Sequence, residues 1–165
     1  TSAGGASTFT ADITGAATGR LTGTASAGAG SDWSRESVVQ VTLPNAGQVS
    51  GIVLATAGNA NAISFLRSGA DVALGTFQLG RAQSGGYSAG YVVRRSDGLQ
   101  LFSADSGTLS MTESAGRVTG TFTLYVDKYD VLPIPSLDLV GKPITPISSG
   151  RASMTITGSF NAVRR

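Results

Sequence analysis

From Gly107 to Val126 apolar and polar residues alternate on both sides of a short break. In Gly107–Glu113, Leu109 and Met111 alternate with Thr108, Ser110 and Thr112. Ser114-Ala115-Gly116 interrupts the pattern, and Gly116 can take a positive φ at no steric cost. The alternation resumes over Arg117–Val126, with Val118, Phe122, Leu124 and Val126 on one face and Thr119, Thr121, Thr123 and Tyr125 on the other. A repeat of two sustained over this length fits half-buried strands and no helix, so the segment is expected to be a β-hairpin.

The same reading extends to the rest of the chain. Ala152–Val163 puts Met154, Ile156 and Phe160 on one face and Ser153, Thr155, Thr157 and Ser159 on the other. Shorter strand signals fall at Thr8–Ile13, Arg20–Ala25, Ser37–Leu43, Ala62–Arg67, Gly75–Leu79, Tyr91–Arg95 and Gln100–Ser103, while Val49–Ala57 fits a strand or a short helix. Glu, Lys and Met are scarce, with two of each, and there is no long Ala/Leu/Glu/Lys stretch to favour a helix. The expectation is a single all-β domain over 1–165, an antiparallel β-sandwich or alternatively a β-barrel, of about nine or ten short strands.

One stretch, 130–150, departs from this pattern. It holds Pro133, Pro135, Pro143 and Pro146, four of the five prolines, among Leu132, Ile134, Leu137, Leu139, Ile144 and Ile147. Proline cannot donate to a strand ladder, so the stretch reads as an apolar insertion that covers either its own core or a partner. Leu132, Pro133, Ile134, Pro135, Leu137, Leu139, Ile144 and Ile147 are the candidate partner-binding residues.

A short pattern of apolar-Thr-Gly-Thr/Ser occurs three times, at Leu21–Ala25, Val118–Phe122 and Ile156–Phe160. Its unequal spacing excludes a solenoid. Gly23, Gly120 and Gly158 fall between inward apolar positions, and are expected to make room for an aromatic ring from a facing strand or to bend the strand at a bulge.

Composition narrows the chemistry. The chain has no Cys, which removes disulfides, thiolate catalysis and Cys-based zinc sites, and no His, which removes His triads and His-ligated metals. Charged residues are 13% of the chain, about half the usual share. The net charge of +2 is not clustered: Arg94-Arg95 and Arg164-Arg165 are the only adjacent basic pairs, so no nucleic-acid partner is expected. No run is long and apolar enough for a transmembrane segment. Thr1–Gly5 has no basic or apolar leader character, and the low charge and Ser/Thr/Gly richness suit a mature exported chain at the cell surface, in the periplasm or outside the cell.

Several motifs in the C-terminal half carry a resemblance. They are Gly75-Thr76-Phe77-Gln78-Leu79, Gly90-Tyr91, Ser106–Thr112, Gly116-Arg117-Val118-Thr119-Gly120-Thr121-Phe122-Thr123-Leu124 and Met154–Asn161. In this order they resemble a family of small, Gly/Thr-rich secreted bacterial β-proteins, lipoprotein-like and of unknown function. The resemblance implies an exported β-sandwich and supplies no catalytic residues. The chain departs from that family in having no Cys for lipid attachment and in the length of its Pro-rich insertion.

Few constellations point to catalysis. Asp127-Lys128-Tyr129-Asp130 is the densest acidic cluster, and Asp127 and Asp130 are the weak candidates for a calcium site, against a plain reading as a polar strand end. Ser96-Asp97-Gly98 and Asp105-Ser106-Gly107 are turn chemistry first. No G-x-S-x-G elbow is present, Ser64 has only Lys128 or Lys142 as a conceivable dyad partner, and the Gly-rich stretches lack a phosphate-loop Lys. Trp33, Tyr87, Tyr91, Tyr125 and Tyr129 are the aromatics that could stack on a sugar, or simply fill the fold.

The leading expectation is therefore a structural or interaction protein, not an enzyme and without a cofactor. It would associate with itself or with a larger cell-surface or envelope assembly. The alternatives are a carbohydrate-binding β-sandwich module using the five aromatics, and a His-free hydrolase using two carboxylates.

Overall fold

The alternating segments form nine strands in a computed structural model that describes residues 7–29, 49–68, 72–80, 86–96, 98–133 and 145–164. They are β1 (Thr8–Gly15), β2 (Gly19–Ala29), β3 (Val49–Ala55), β4 (Asn61–Ser68), β5 (Gly75–Leu79), β6 (Ser88–Arg94), β7 (Leu99–Ser114), β8 (Arg117–Leu132) and β9 (Ser148–Val163). The ambiguous segment at Val49–Ala57 is a strand, followed by a single 3-10 turn at Ala57–Asn59. Thr56 fastens that turn, its hydroxyl accepting from the Asn61 N–H at 3.0 Å. The strand expected at Ser37–Leu43 lies outside the described residues.

Three strands are longer than the alternation suggested. β7, β8 and β9 have 16 residues each. Gln100–Ser103 and Gly107–Glu113 belong to the one strand β7, whose pairing with β8 shifts register between Phe102 and Ala104 and again between Ala104 and Ser106. The shift changes the inward set from Phe102 and Ala104 to Leu109 and Met111. A change of phase inside a strand breaks the two-residue repeat, so one bent strand read as two. β8 and β9 also run into the Pro-rich stretch, as far as Leu132 and back from Ser148.

All nine strands join one antiparallel sheet in the order β5-β7-β6-β4-β3-β2-β1-β9-β8, and β7 also pairs with β8. That last pairing closes eight strands into a ring. Around the ring each strand neighbours the next in sequence, except where β4 passes over β5 to meet β6 and where β1 meets β9. β5 shares an edge of β7 with β6: β6 pairs with Leu99–Ser103 and β5 with Gly107–Met111. The all-β antiparallel expectation therefore stands, as one sheet closed on itself.

The interior is filled from every strand of the ring. Phe9, Ile13, Ile52, Leu54, Ile63, Phe65, Leu109, Phe122, Leu124 and Ile156 are all buried in one cluster. Phe65 on β4 lies 5.1 Å from Phe122 on β8 and 6.5 Å from Phe160 on β9, ring centre to ring centre, so opposite walls meet. Two of the recurring glycines explain how the rings fit. Gly120 faces Phe160 and Gly158 faces Phe122 in the β8–β9 register. A Cβ on Gly120 would sit 2.5 Å from Cζ of Phe160, and one on Gly158 would strike the Thr10 carbonyl oxygen first and sit 2.8 Å from Cζ of Phe122. The rings come from the directly paired neighbour rather than from across the core. Gly23 differs in having backbone alone as its nearest neighbours, the Ala55 carbonyl first. A smaller buried cluster of Ala62, Val92 and Leu99 lies on the outer side of β4, β6 and β7.

Candidate functional site

The alternation that fills the ring leaves its complement on the outside. Strand pairing aligns these outward residues into rows that cross the sheet. One row runs Thr22, Thr10, Ser159, Thr121, Ser110, Thr76 over β2, β1, β9, β8, β7 and β5. The next runs Asp12, Thr157, Thr123, Thr108 over β1, β9, β8 and β7. A third runs Thr8, Asn161, Thr119, Thr112 over the same strands. The sheet sets a grid of about 4.8 Å between strands and about 6.8 Å along them.

Two adjoining grooves lie over this grid. One, of 370 Å³, is lined by Thr10, Asp12, Thr108, Thr121, Thr157 and Ser159 among others. The other, of 510 Å³, reaches from Ser159 and Thr121 to Ser110 and Thr76. They share Thr121 and Ser159 and so form one open trough across β1, β9, β8, β7 and β5. Two hydroxyl pairs bond within it, Thr76–Ser110 at 3.0 Å and, at its edge, Thr112–Thr119 at 3.2 Å. Among the described lining residues charge enters only at one end, where Asp12 accepts from Arg20 Nε at 2.8 Å. That hydrogen bond and the Arg20 charge hold the Asp12 carboxyl below its ordinary range.

The five candidate aromatics separate. Tyr87 and Tyr91 are buried. The Tyr87 hydroxyl donates to the Ala73 carbonyl at 2.8 Å, with its ring edge-on to Phe77. Tyr91 stacks on Phe102 and donates to Asn61 Oδ1, and burial pushes its phenol above the ordinary value. Tyr129 packs on Phe102 and lies over Gly150. Tyr87 and Tyr91 are thus core side chains, and Tyr129 is half-buried against that core. Tyr125 is different: it is 41% exposed, outward on β8, opposite Thr155 and two residues beyond Thr123 on the grooved face. Trp33 lies outside the described residues.

The acidic candidates are engaged across strands. Asp127 accepts from Ser153 Oγ at 2.6 Å and has Arg151 at 3.7 Å, while Asp130 accepts from Ser149. Glu113 pairs with Arg164. Each carboxylate turns toward β9 or the residue following it, and Asp127 and Asp130 do not converge. Among the described residues no three acidic side chains come together as a metal site. Of the candidate partner-binding residues, Leu132 and Pro133 are half-buried where the chain leaves β8, and Ile147 is 56% exposed where it returns, its N–H donating to the Val131 carbonyl. Ile134, Pro135, Leu137, Leu139 and Ile144 lie outside the described residues.

Sequence alternation identified the outward threonines of β7, β8 and β9, and assigned no face to those of β1, β2 and β5. It missed the trough, because that depends on which threonine stands beside which, and register is set by the whole ring. The repeated Thr-x-Thr of Thr8–Thr10, Thr22–Thr24, Thr119–Thr123 and Thr155–Thr157 was the available signal. No family model, curated protein or solved structure matches the chain.

Proposed function

We propose that this is a non-catalytic recognition protein of an exported, cell-surface or envelope setting, acting by contact with copies of itself or with a larger assembly. The observation that carries this reading is the row Thr22, Thr10, Ser159, Thr121, Ser110, Thr76, uncharged across six strands. Short side chains have little rotamer freedom to lose when a partner covers them, and an uncharged face does not repel a second copy. The engagement of Asp127, Asp130 and Glu113 by neighbouring strands supports contact over acid–base chemistry. Ile147, exposed at the return of the Pro-rich stretch, offers a second, apolar contact.

Light scattering across a concentration series tests the self-association arm. The chain is expected to gain mass with concentration, and the charged face of a Thr121→Arg/Thr157→Arg variant to remove the gain. Wild-type protein that stays monomeric at all concentrations sinks self-association and leaves an external partner as the remaining form of the proposal.

A further inference from the structure

We infer that the outer trough binds a neutral, extended polysaccharide chain, with Tyr125 as its stacking residue; this deepens the recognition reading and rests on the same face. The chemistry of the lining selects the ligand. Between Thr10 and Thr76 the row carries hydroxyls alone, each able to donate and accept, and no charge. Thr121, Thr157 and Ser159 are exposed and make no hydrogen bond with a described side chain, so their capacity faces outward. A charged polymer would find no opposite charge along that row.

Shape selects a chain over a small molecule. The trough is open and spans four strand spacings, about 19 Å. It crosses the strands, so it offers side chains rather than the backbone edge by which a peptide adds as a strand. Neighbouring strands rotate by about 20° or more. The hydroxyl rows therefore wind rather than lie in a plane, which suits a single flexible chain and not the flat face of a crystal. Tyr125 supplies an independent pointer. Among the described residues the exposed large apolar side chains are Leu74, Tyr125 and Ile147, and Tyr125 is the aromatic one, two residues along β8 from Thr123 of the trough. An exposed ring beside hydroxyls is the pairing by which proteins hold the apolar face and polar rim of a sugar.

Isothermal titration of the full chain with xyloglucan, laminarin, galactomannan and, as the acidic control, alginate tests this. Saturable binding to a neutral polymer, unchanged by added salt, is the expected result. Tyr125→Ala should weaken it about fivefold. Thr121→Arg/Thr157→Arg should abolish it, while Thr121→Ser/Thr157→Ser, which keeps the hydroxyls, should retain it. Circular dichroism on each variant separates loss of binding from loss of fold. Silence with all three neutral polymers, binding to alginate alone, or binding that survives both arginines overturns the inference. If no polymer binds while concentration-dependent mass is still lost in the arginine variant, the recognition reading stands and the polysaccharide falls. A permanent monomer that binds a neutral polymer through Tyr125 supports the polysaccharide and removes self-association.

Discussion

Ala115 has φ 53° and Gly116 φ 76°, the two positive angles of the tight turn between β7 and β8. Glycine meets this demand freely; alanine is held there against its own Cβ. Ala115→Asn should therefore raise the unfolding free energy by about 0.5–1 kcal/mol, read from urea melts. Gly116→Ala meets open space and should lose about 1 kcal/mol from backbone strain alone. Gly120→Ala is a different case, since its Cβ would strike the Phe160 ring and the Ser110 carbonyl. A cost of about 2–3 kcal/mol is expected, and Phe160→Leu in the same chain should return about 1 kcal/mol of it in a double-mutant cycle. Additive losses would mean that the ring does not depend on the glycine. Tyr91 yields a pH prediction. Its buried phenol keeps its proton above the ordinary value near 10, where an unfolded chain has begun to lose it. The unfolded state then binds fewer protons, so stability falls as pH rises from about 10 through the raised folded value. Tyr91→Phe loses the Asn61 hydrogen bond, about 1 kcal/mol at neutral pH, but escapes the alkaline loss. The gap between the two proteins in thermal melts should narrow above pH 10.

At the scale of elements, strands were legible where one face is buried and the other wet. β9, and β8 as far as Val126, follow that rule, whereas past the register shift at Val126/Lys128 the inward set of β8 changes phase to Tyr129 and Val131. β6 does not, because Tyr91 faces the interior while Val92 belongs to the outer cluster. With apolar residues on both faces its sequence could not say which way the tyrosine points. The phase changes of β7 hid in the same way. The trough was illegible for a further reason: its residues come from five strands, and their alignment is a property of register. Pairing also sets an order of local stability. β8 is bonded to β7 and β9 along nearly its whole length, whereas β5 pairs with β7 alone among the described strands. Amide exchange should be slowest over Phe122–Val126 and markedly faster over Gly75–Leu79. Equal protection in β5 and β8 would mean that a further segment bonds the outer edge of β5.

For the whole molecule, closure is the costly step. Apart from β4 passing over β5, successive strands pair as local hairpins, but β1 meets β9 across nearly the entire chain, with Thr8 opposite Asn161. Bringing such distant segments together is entropically unfavourable before their contacts form, and chains of this topology fold in milliseconds to seconds. The two strand ends lie side by side, the Val163 N–H donating to Ser7 Oγ at 3.0 Å. A short linker can therefore join Arg164 to Ser7, with new ends opened between Ala17 and Thr18 in the exposed β1–β2 turn. In an open sheet such a permutation would shorten the longest pairing. In a ring it cannot, because making β1–β9 local makes β1–β2 the pair that must close over the full length. The permuted chain should fold to the same structure, at a rate within about tenfold of the parent in stopped-flow refolding. A permutant that folds hundreds of times faster would place the barrier in the β1–β9 contacts themselves and not in closing the ring.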